Sequence, residues 1–267
     1  MNNEKLMVKP GSRLKLADRD PDDTHGYTKE KADRELRKHE TQLSDLQDLL
    51  YAEKKHSLLI VLQALDAGGK DGTIRHVMSH ANPQSCDVTS FKSPTEEELG
   101  HDFLWRVHKA VPIKGTIGIF NRSHYEDVLI ARVHELVPKA VWSKRYGLIN
   151  DFESLLAASG VKIIKFFLHI SKEEQKKRFE SRLTNPIKLW KASEADFAER
   201  RFWDDYTAAF EDALSKCSVE NAPWYVIPAN KKWFRNLAVS RIIVETLQGL
   251  KMKYPKATLD PSKIVID

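Results

Sequence analysis

The segment SLLIVLQALDAGGKDGT, residues 57–73, governs how the rest of the chain is interpreted. Its first eight residues are almost all apolar, and a short continuous run of this kind is typical of a strand buried on both faces. Three glycines follow at Gly68, Gly69 and Gly72, and we predict a helix from Ile74. A strand, a glycine-rich turn and a helix in this order are typical of a phosphate-binding loop, because backbone N–H groups and the positive end of the helix converge on one anion.

The turn departs from the strict phosphate-loop pattern G-x-x-x-x-G-K-[ST]. Ala64 stands where the first glycine belongs, and Asp71 stands where the serine or threonine belongs. An ordinary glycine-rich turn with an exposed Lys70 is the alternative, but the position after a buried strand favours phosphate binding. Asp66 and Asp71 beside a phosphate imply a cation between them, which indicates Mg²⁺.

Four more apolar runs resemble the first and are predicted to be buried strands. They span residues 86–91, 116–120, 161–170 and 224–228. Helices are predicted over residues 29–53 and between the strands, with capping boxes at Thr95 and Ser171 and a stop at Gly160. Alternating strands and helices predict an α/β fold, in which a parallel sheet is covered on both faces and ligands bind at the carboxyl ends of the strands.

A polar segment, NRSHYED at residues 121–127, follows the run that ends at Phe120. Arg122 offers a planar fork for phosphoryl oxygens. Three other side chains of the segment suit Mg²⁺, its waters or a ribose: Asn121, Glu126 and Asp127. Ser123 and Glu126 also form a Ser-x-x-Glu pattern, which predicts a capping box at a helix start. The cap and a site role for Arg122 are compatible, so we predict both.

Residues 176–201 carry eight Lys or Arg against four acids. Arg178 and Arg182 are four residues apart and therefore share one helix face. The chain breaks at Pro186 and returns to a helix near Asp196. A basic helix–loop–helix of this kind resembles a kinase lid, which closes over phosphates and excludes water. A solvated basic face is the ordinary alternative, and the nearby phosphate loop favours the lid.

Composition excludes several classes of protein. The 267 residues carry 43 Lys or Arg and 38 Asp or Glu, and 41% are hydrophobic, so the chain has the apolar material for a core. No apolar run approaches the roughly 20 residues that cross a bilayer, so we expect a soluble, cytoplasmic protein that does not contact a membrane. Two cysteines are too few for a disulfide framework. The pI near 9.0 suggests nucleic-acid binding, but no nucleic-acid-binding motif is present.

Five strings, taken together, resemble the polyphosphate kinase 2 family. They are LDAGGKDGT (65–73), FNRSHYEDVL (120–129), WSKRY (142–146), KFFLHISKEEQ (165–175) and APWYVIPANKKWFRN (222–236). The resemblance extends over about residues 20–254. It implies a thymidylate-kinase-like P-loop fold with a helical lid. It also implies Mg²⁺-dependent transfer of the terminal phosphoryl group of inorganic polyphosphate to a nucleotide, in homo-oligomers that are dimers or tetramers.

The resemblance also assigns roles to residues. Residues 66–73 resemble the Walker A element, with phosphate-binding positions at Gly68, Gly69, Lys70, Asp71, Gly72 and Thr73. The FNRS string resembles Walker B, although relatives commonly have an acid at the position of Asn121. The metal ligands are therefore left open among Asp66, Asn121 and Glu126. The implied catalytic residues are Asp66, Lys70, Arg122 and Arg178, and Arg182 and Lys188 of the lid bind phosphates.

The FNRSHYEDVL string resembles the branch of the family that phosphorylates both nucleoside mono- and diphosphates. The expected reaction converts AMP to ADP and ADP to ATP, with nucleotide-binding positions at Asn121, Glu126 and Asp127. An ATP-dependent nucleoside monophosphate kinase is the alternative, because it shares the fold, the loop and the lid. We expect an extended arm over residues 1–28, one kinase domain over 29–254 with its lid at about 178–205, and a tail over 255–267.

Overall fold

The computed structural model describes residues 3–191, 193–258 and 264. Its sheet has five parallel strands in the order β2-β3-β1-β4-β5. The strands are β1 (Ser57–Gln63), β2 (Cys86–Ser90), β3 (Ile117–Asn121), β4 (Val161–His169) and β5 (Trp224–Pro228). Every strand lies within a residue or two of its predicted position, because each is a short apolar run bounded by turn residues.

The prediction that β2 is buried is wrong. The run at residues 86–91 was expected to be buried, but β2 lies at the edge of the sheet and pairs with β3 alone among the described strands. Asp87, Val88 and Ser90 are therefore exposed. An edge strand is paired on one side and open to solvent on the other, so consecutive residues such as Asp87 and Val88 are both exposed.

Helices connect the strands. They are α1 (Lys29–Glu53), α2 (Lys70–Val77), α3 (Glu96–Leu99), α4 (Trp105–Lys109), α5 (Ile130–Val133), α6 (Lys139–Ala158), α7 (Lys172–Thr184), α8 (Glu194–Glu199), α9 (Trp203–Lys216) and α10 (Lys232–Gly249). The predictions for α1, the capping box at Thr95 and the stop at Gly160, where φ is +94°, are confirmed. Helix α2 begins at Lys70, four residues before the predicted start.

The sheet is covered on both faces, as predicted. Leu58, Ile60 and Leu62 of β1 pack in one apolar core with α1, α2 and α10. Leu59 and Val61, which alternate with them, pack in a second core with α6 and α9. Successive side chains of a strand point to opposite faces, so β1 joins the two cores and holds the loop that follows it at the centre of the molecule.

The N-terminal segment docks on the edge of the sheet. Val8 donates its N–H to the Trp224 carbonyl, and the N–H of Val226 donates to the Leu6 carbonyl. The side chains of Leu6, Val8, Leu14 and Leu16 are buried. In the arm predicted over residues 1–28, residues 6–8 therefore pair with β5, and Leu14 and Leu16 bond through their N–H groups to side chains of α9. Most of the predicted tail, residues 259–263 and 265–267, lies outside the described residues.

A buried ionic cluster ties the segment after β3 to the core. The Lys165 ammonium, on β4, donates to the hydroxyl of Tyr125 at 2.8 Å and to the carboxylate of Glu153 on α6. His124 also contacts Glu153, at 3.1 Å, and the His124, Glu153 and Lys165 side chains are fully buried. Burial lowers the pKa of Lys165. Burial alone would raise the pKa of Glu153, but the charges and hydrogen bonds of Lys165 and His124 together outweigh it and lower that pKa. The cluster fixes His124 and Tyr125, which lie inside the predicted site segment at residues 121–127.

Within the described residues, no helix is long and apolar enough to cross a membrane.

Candidate active site

The glycine-rich loop after β1 has a backbone conformation that few residue types adopt. Ala67 has φ +60° and Gly69 has φ +103°, and α2 begins directly after Gly69. Left-handed conformations of this kind turn successive N–H groups toward one point and form an anion-binding concavity. The predicted strand, turn and helix are thus present, with the loop at the carboxyl end of the central strand.

Two residues of α7 hold this loop from one side. Arg178 donates from Nη1 to the carbonyls of Ala67 and Gly68, at 2.9 and 3.0 Å. Gln175 donates from Nε2 to the Asp66 carbonyl at 3.0 Å. The Glu174 carboxylate pairs with Arg178 at 2.7 Å, and for this reason the capping box predicted at Ser171 forms only its serine half. With its carbonyls engaged in this way, the loop presents its N–H groups to the cavity.

Arg235, on α10, lies near Arg178, and the guanidinium groups of both residues face Gly69 of the loop. Only 2% of Arg235 is exposed, and its Nε and Nη2 atoms donate to the Asn236 side chain. A Cβ atom at Gly69 would clash with its Nη1 atom. Burial, with the neighbouring Arg178, lowers its pKa to about 10. Within the described part of the chain Arg235 has no carboxylate partner, so a buried cation faces the loop.

Lys70 is half-buried at the start of α2. Its ammonium donates to the Ala64 carbonyl at 3.0 Å. Burial lowers its pKa, and the positive charge of Arg122 adds to this effect. Thr73, predicted to bind phosphate, is buried below the loop, where its hydroxyl donates to the Gly69 carbonyl at 3.0 Å. The two residues thus differ, since the Lys70 side chain lines a cavity and the Thr73 hydroxyl braces the turn.

The segment after β3 brings Arg122 to the same point. Arg122 has φ +62°, and its Nη2 atom contacts Asp66 Oδ1 at 3.1 Å. Attraction to Glu126 and Asp66 outweighs burial and raises the pKa of Arg122. Asn121 donates to the Asp71 carboxylate at 2.8 Å. Residues 50 and 56 positions apart are therefore joined across the ends of β1 and β3.

The capping box predicted at Ser123 and Glu126 is wrong in one half. The Ser123 hydroxyl accepts from the Tyr125 N–H at 3.2 Å and caps a 3₁₀ helix over His124–Val128. Glu126 does not return the bond. With the Gln63 amide oriented to satisfy its neighbours, that amide donates to Glu126 Oε1 at 3.0 Å and accepts from Ser123. Burial raises the pKa of Glu126, and its side chain lines a cavity instead of the helix end.

Asp127 is separated from the other predicted nucleotide-binding residues. Its carboxylate pairs with Arg145 of α6 at 2.9 Å. Burial raises the pKa of Asp127, although Arg145 opposes this change. Among the described residues, Asp127 lines neither of the two cavities that meet at the loop.

Two cavities share Asp66, Arg122 and Asp196 as their common wall. The larger, of about 940 Å³, is lined by nine Lys or Arg side chains and four carboxylates. We call it the basic cavity; it contains Lys70, Lys177, Arg178, Arg182, Lys188, Lys232 and Arg235. The smaller, of about 210 Å³, is lined by carboxylates and by apolar and aromatic side chains, and we call it the aromatic cavity; it contains Glu126, Leu129, Glu199, Trp203, Tyr206 and Phe210.

The predicted lid lies over this wall. Helix α7 ends at Thr184, as the proline at 186 predicts, and α8 brings Asp196 back within 3.3 Å of Arg182. Arg200, beyond α8, donates to the Lys172 carbonyl at 2.7 Å and to Gln175 at 3.0 Å. Burial raises the pKa of Asp196, and the nearby Asp66 adds to this effect. The chain from α7 to α9 thus contributes to both cavities.

The donor set for a metal ion is small. Asp66 and Glu126 both line the aromatic cavity, and both lie close enough to Arg122 for their charges to act on its pKa. No group of three or more His, Cys, Asp or Glu that suits a metal ion occurs in the part of the chain that the structure describes. Two carboxylates fit Mg²⁺, which usually keeps several waters and takes further oxygens from substrate phosphates.

Four residues that line the two cavities were not predicted from the sequence: Lys232, Arg235, Trp203 and Tyr206. Arg235 lies in the string APWYVIPANKKWFRN, which carries part of the resemblance, and its position on a helix after a strand was the available signal. Trp203 and Tyr206 lie three residues apart at the start of α9. Aromatic residues at helical spacing are more often core residues, so the sequence alone gave no reason to place them at a cavity.

Comparison with known proteins gives a consistent assignment. The family profile described as Polyphosphate kinase 2 matches residues 26–255. The AMP/ADP-polyphosphate phosphotransferase of Meiothermus ruber is 54% identical over 266 residues, which cover 99% of this chain and 100% of that protein. The ADP-polyphosphate phosphotransferase of Rhodopseudomonas palustris is 52% identical over 235 residues, covering 84% of this chain and 81% of that protein.

A solved structure supports the same conclusion. The crystal structure of polyphosphate kinase 2 from Arthrobacter aurescens superposes with a TM-score of 0.93 at 47% identity. The match covers 97% of this chain and 93% of that chain. The similarity therefore extends over the sheet, the loop and the lid together.

Proposed function

The chain belongs to the polyphosphate kinase 2 family, and from this premise we propose that it phosphorylates AMP to ADP and then ADP to ATP. It is a polyphosphate-dependent nucleotide kinase, a phosphotransferase that uses inorganic polyphosphate as donor. The proposed range of acceptors rests on the Meiothermus ruber relative, whose name includes both AMP and ADP. The observation that carries the proposal is the meeting of the two cavities at Asp66 and Arg122.

We assign the donor to the basic cavity. Polyphosphate carries about one negative charge per unit, and a polyanion binds where several cations line one track. The basic cavity has more than twice as many Lys and Arg side chains as carboxylates, and its volume of about 940 Å³ suits several phosphate units. Its inner end is the glycine-rich loop, so the terminal unit would lie at Lys70 and at the N-terminus of α2.

We assign the acceptor to the aromatic cavity. Trp203, Tyr206 and Leu129 offer flat and apolar surfaces for a base, and Glu199 and Arg200 offer polar partners at its edge. The phosphate of a nucleotide in this cavity would reach the shared wall. The acceptor would enter from the aromatic cavity and the donor from the basic cavity. The two reacting groups would then lie on opposite sides of Arg122.

Transfer then depends on position and charge. Phosphoryl transfer needs little covalent chemistry from the protein, so catalysis comes from alignment and from neutralising the oxygens of the moving group. Arg122 belongs to the shared wall, and Lys70 lies close enough to Asp66 and Arg122 for their charges to act on it. In this proposal Arg178 acts as a positioning residue, because its guanidinium holds the carbonyls of the loop. The acceptor is already an anion, so no general base is required.

Asp66 and Glu126 would hold Mg²⁺ together with water and substrate oxygens. When bound, the ion would neutralise negative charge on the reacting phosphates. The proposed Mg²⁺ requirement is supported by a pair of carboxylates directed at the wall where phosphates would meet. Asn121 is engaged with Asp71 through its amide nitrogen, so its carbonyl oxygen is the atom left for a metal-bound water.

The direct test is incubation of the purified enzyme with polyphosphate, Mg²⁺ and AMP in the absence of ATP, followed by chromatography of the nucleotides. We expect ADP first and ATP later. Product formed only when a nucleoside triphosphate is added would support the ATP-dependent monophosphate kinase and overturn the proposal. Omission of Mg²⁺, with excess chelator, is expected to stop the reaction.

A further inference from the structure

Arg122 stands between the end of β3 and a fully buried stretch of chain. Its N–H donates to the Leu62 carbonyl of β1 at 3.1 Å, which fixes the residue to the sheet on its upstream side. Arg122 has φ +62°, and its side chain, 41% exposed, forms part of the shared wall. The next three residues, Ser123, His124 and Tyr125, are fully buried. A left-handed backbone is unfavourable for an arginine, so it persists only where the structure on both sides of the residue holds it.

The buried ionic cluster holds the chain directly after Arg122. The Glu153 carboxylate of α6 accepts from His124 Nε2 at 3.1 Å and from the Tyr125 hydroxyl at 2.9 Å. Because a carboxylate only accepts, the His124 proton of this contact lies on Nε2. The Lys165 ammonium donates to the same carboxylate and to the Tyr125 hydroxyl. Two consecutive side chains are thus bound to one buried anion, and one buried cation balances its charge.

Three elements of the core support the cluster. Glu153 lies on α6, and Lys165 lies on β4, next to β1 in the sheet. Lys165 also donates to the Cys217 carbonyl, at the end of α9, at 2.7 Å. Helix α6 holds the segment at a second point, because Arg145 donates to the carbonyl and to the carboxylate of Asp127 at 3.0 and 2.9 Å. The chain after β3 is therefore fixed by several parts of the core at once.

The four residues of the cluster are His124, Tyr125, Glu153 and Lys165. All four lie in the described part of the chain, and none of them lines the basic or the aromatic cavity. They can therefore affect phosphoryl transfer only through a neighbour that does, and Arg122 precedes His124 by two residues. A buried ion pair is weak evidence for a role in stability. The left-handed residue beside the cluster favours a role in positioning instead.

We propose that these four residues are positioning residues for phosphoryl transfer, because they hold Arg122 in its left-handed conformation and keep its guanidinium at the shared wall. Their effect rests on the proposed function of Arg122, which neutralises charge on the moving phosphoryl group. A displacement of about 1 Å can lower the rate of an enzyme roughly 100-fold. A loosened cluster should lower kcat and kcat/KM together, with little change in KM, because the affected contact is made in the transition state.

Two substitutions in the full-length enzyme test the cluster by steady-state kinetics. Tyr125→Phe removes the hydroxyl that joins Glu153 to Lys165 and keeps the ring, and Glu153→Gln removes the negative charge and keeps the shape. We expect kcat to fall roughly tenfold for the first and roughly 100-fold for the second. Tyr146→Phe is the control, because this buried tyrosine of α6 accepts from Arg132 at 3.2 Å, and its kcat should stay unchanged. Circular dichroism and the melting temperature show whether each variant is folded.

A double-mutant cycle separates positioning from general stabilisation. In an Arg122→Ala enzyme the cluster has no guanidinium to position, so Tyr125→Phe should lower the residual kcat by less than about twofold. The decrease in melting temperature caused by Tyr125→Phe should be the same in both backgrounds. An equal fold-loss of kcat in both backgrounds, or wild-type kcat in a folded Tyr125→Phe enzyme, would overturn the proposal.

The same assays distinguish failure of this proposal from failure of the proposed function. If the proposed function is wrong, the wild-type enzyme forms no ADP from polyphosphate and AMP. Wild-type kcat in the Arg122→Ala enzyme would overturn the role of Arg122 and the positioning role of the cluster together.

Discussion

Two buried arginines contact the glycine-rich loop, and they differ in whether a carboxylate balances their charge. Arg178 satisfies carbonyls of the loop and has a carboxylate partner in Glu174, so its charge is compensated. Arg235 has an amide partner in Asn236 and no carboxylate among the described residues. A buried cation without a counter-ion is unfavourable unless a ligand supplies the negative charge. Arg235 is therefore the residue we expect to respond most to polyphosphate.

Replacing Arg235 by methionine tests this expectation. The substitution keeps most of the volume and removes the charge, and a charged hydrogen bond contributes about 1.5–3 kcal/mol. We expect kcat/KM for polyphosphate to fall by roughly 10- to 100-fold, with KM for AMP little changed. Arg241→Met, on the same helix but paired with Glu245 at 2.9 Å, is the control. Equal effects of the two substitutions on polyphosphate kinetics would contradict the assignment.

The lowered pKa of Lys70 predicts that kcat/KM for polyphosphate depends on pH. Burial lowers its pKa, so in the free enzyme the ammonium loses its proton at a lower pH than an ordinary lysine does. We expect kcat/KM for polyphosphate to decline on the alkaline side below about pH 10.4, the usual lysine pKa. Bound polyphosphate stabilises the ammonium, so the decline in kcat should occur at higher pH. A Lys70→Arg enzyme with residual activity should lack the decline, and its persistence there would assign it to another group.

At the scale of elements, the positions of strands and helices were predicted well from the sequence, whereas the contacts between them were predicted less well. The five strands and the loop followed from apolar runs and from Gly68, Gly69 and Gly72. The half-formed cap at Ser171 has a local cause, because Glu174 pairs with Arg178 one turn further along α7. Two outcomes depended on distant partners: the exposure of β2 and the orientation of Glu126. Each was decided by a neighbour across the fold, and spacing along the chain contains no information about such neighbours.

The glycine-rich loop makes a prediction at this scale. Gly69 combines φ +103° with a position against Arg235, so Gly69→Ala strains the backbone and displaces a buried guanidinium. We expect a loss of about 1–3 kcal/mol in the free energy of unfolding, measured by urea denaturation, and a larger loss of kcat/KM. Gly249→Ala, at the end of α10 with nothing within 4 Å, is the control. A fully active Gly69→Ala enzyme would show that the loop geometry is not needed.

At the scale of the whole molecule, topology explains why distant residues form one site. The strand order β2-β3-β1-β4-β5 places the carboxyl ends of β1, β3 and β4 side by side, so the loop, the segment after β3 and α7 meet there. The sequence predicted this convergence, and its resemblance to the family predicted most of the cations. It did not predict Trp203 and Tyr206, because the aromatic cavity arises only when α9 packs beside the lid.

The charge of the basic cavity predicts a salt effect. Binding of a polyanion releases counter-ions, so its affinity falls with salt much more steeply than that of a small ligand. Between about 50 and 200 mM KCl we expect KM for polyphosphate to rise roughly tenfold or more, and KM for AMP to rise much less. Steady-state kinetics at constant Mg²⁺ measures both values. The same dependence for the two substrates would argue against a donor held by many cations.

The most direct measurement is a crystal structure of the enzyme with polyphosphate and a nucleotide bound together. We expect a polyphosphate chain along the basic cavity, with the end of the polyphosphate at Lys70 and the N-terminus of α2. We expect the nucleoside in the aromatic cavity, against Trp203 and Tyr206. Polyphosphate bound away from Lys70, or a nucleoside in the basic cavity, would contradict the account.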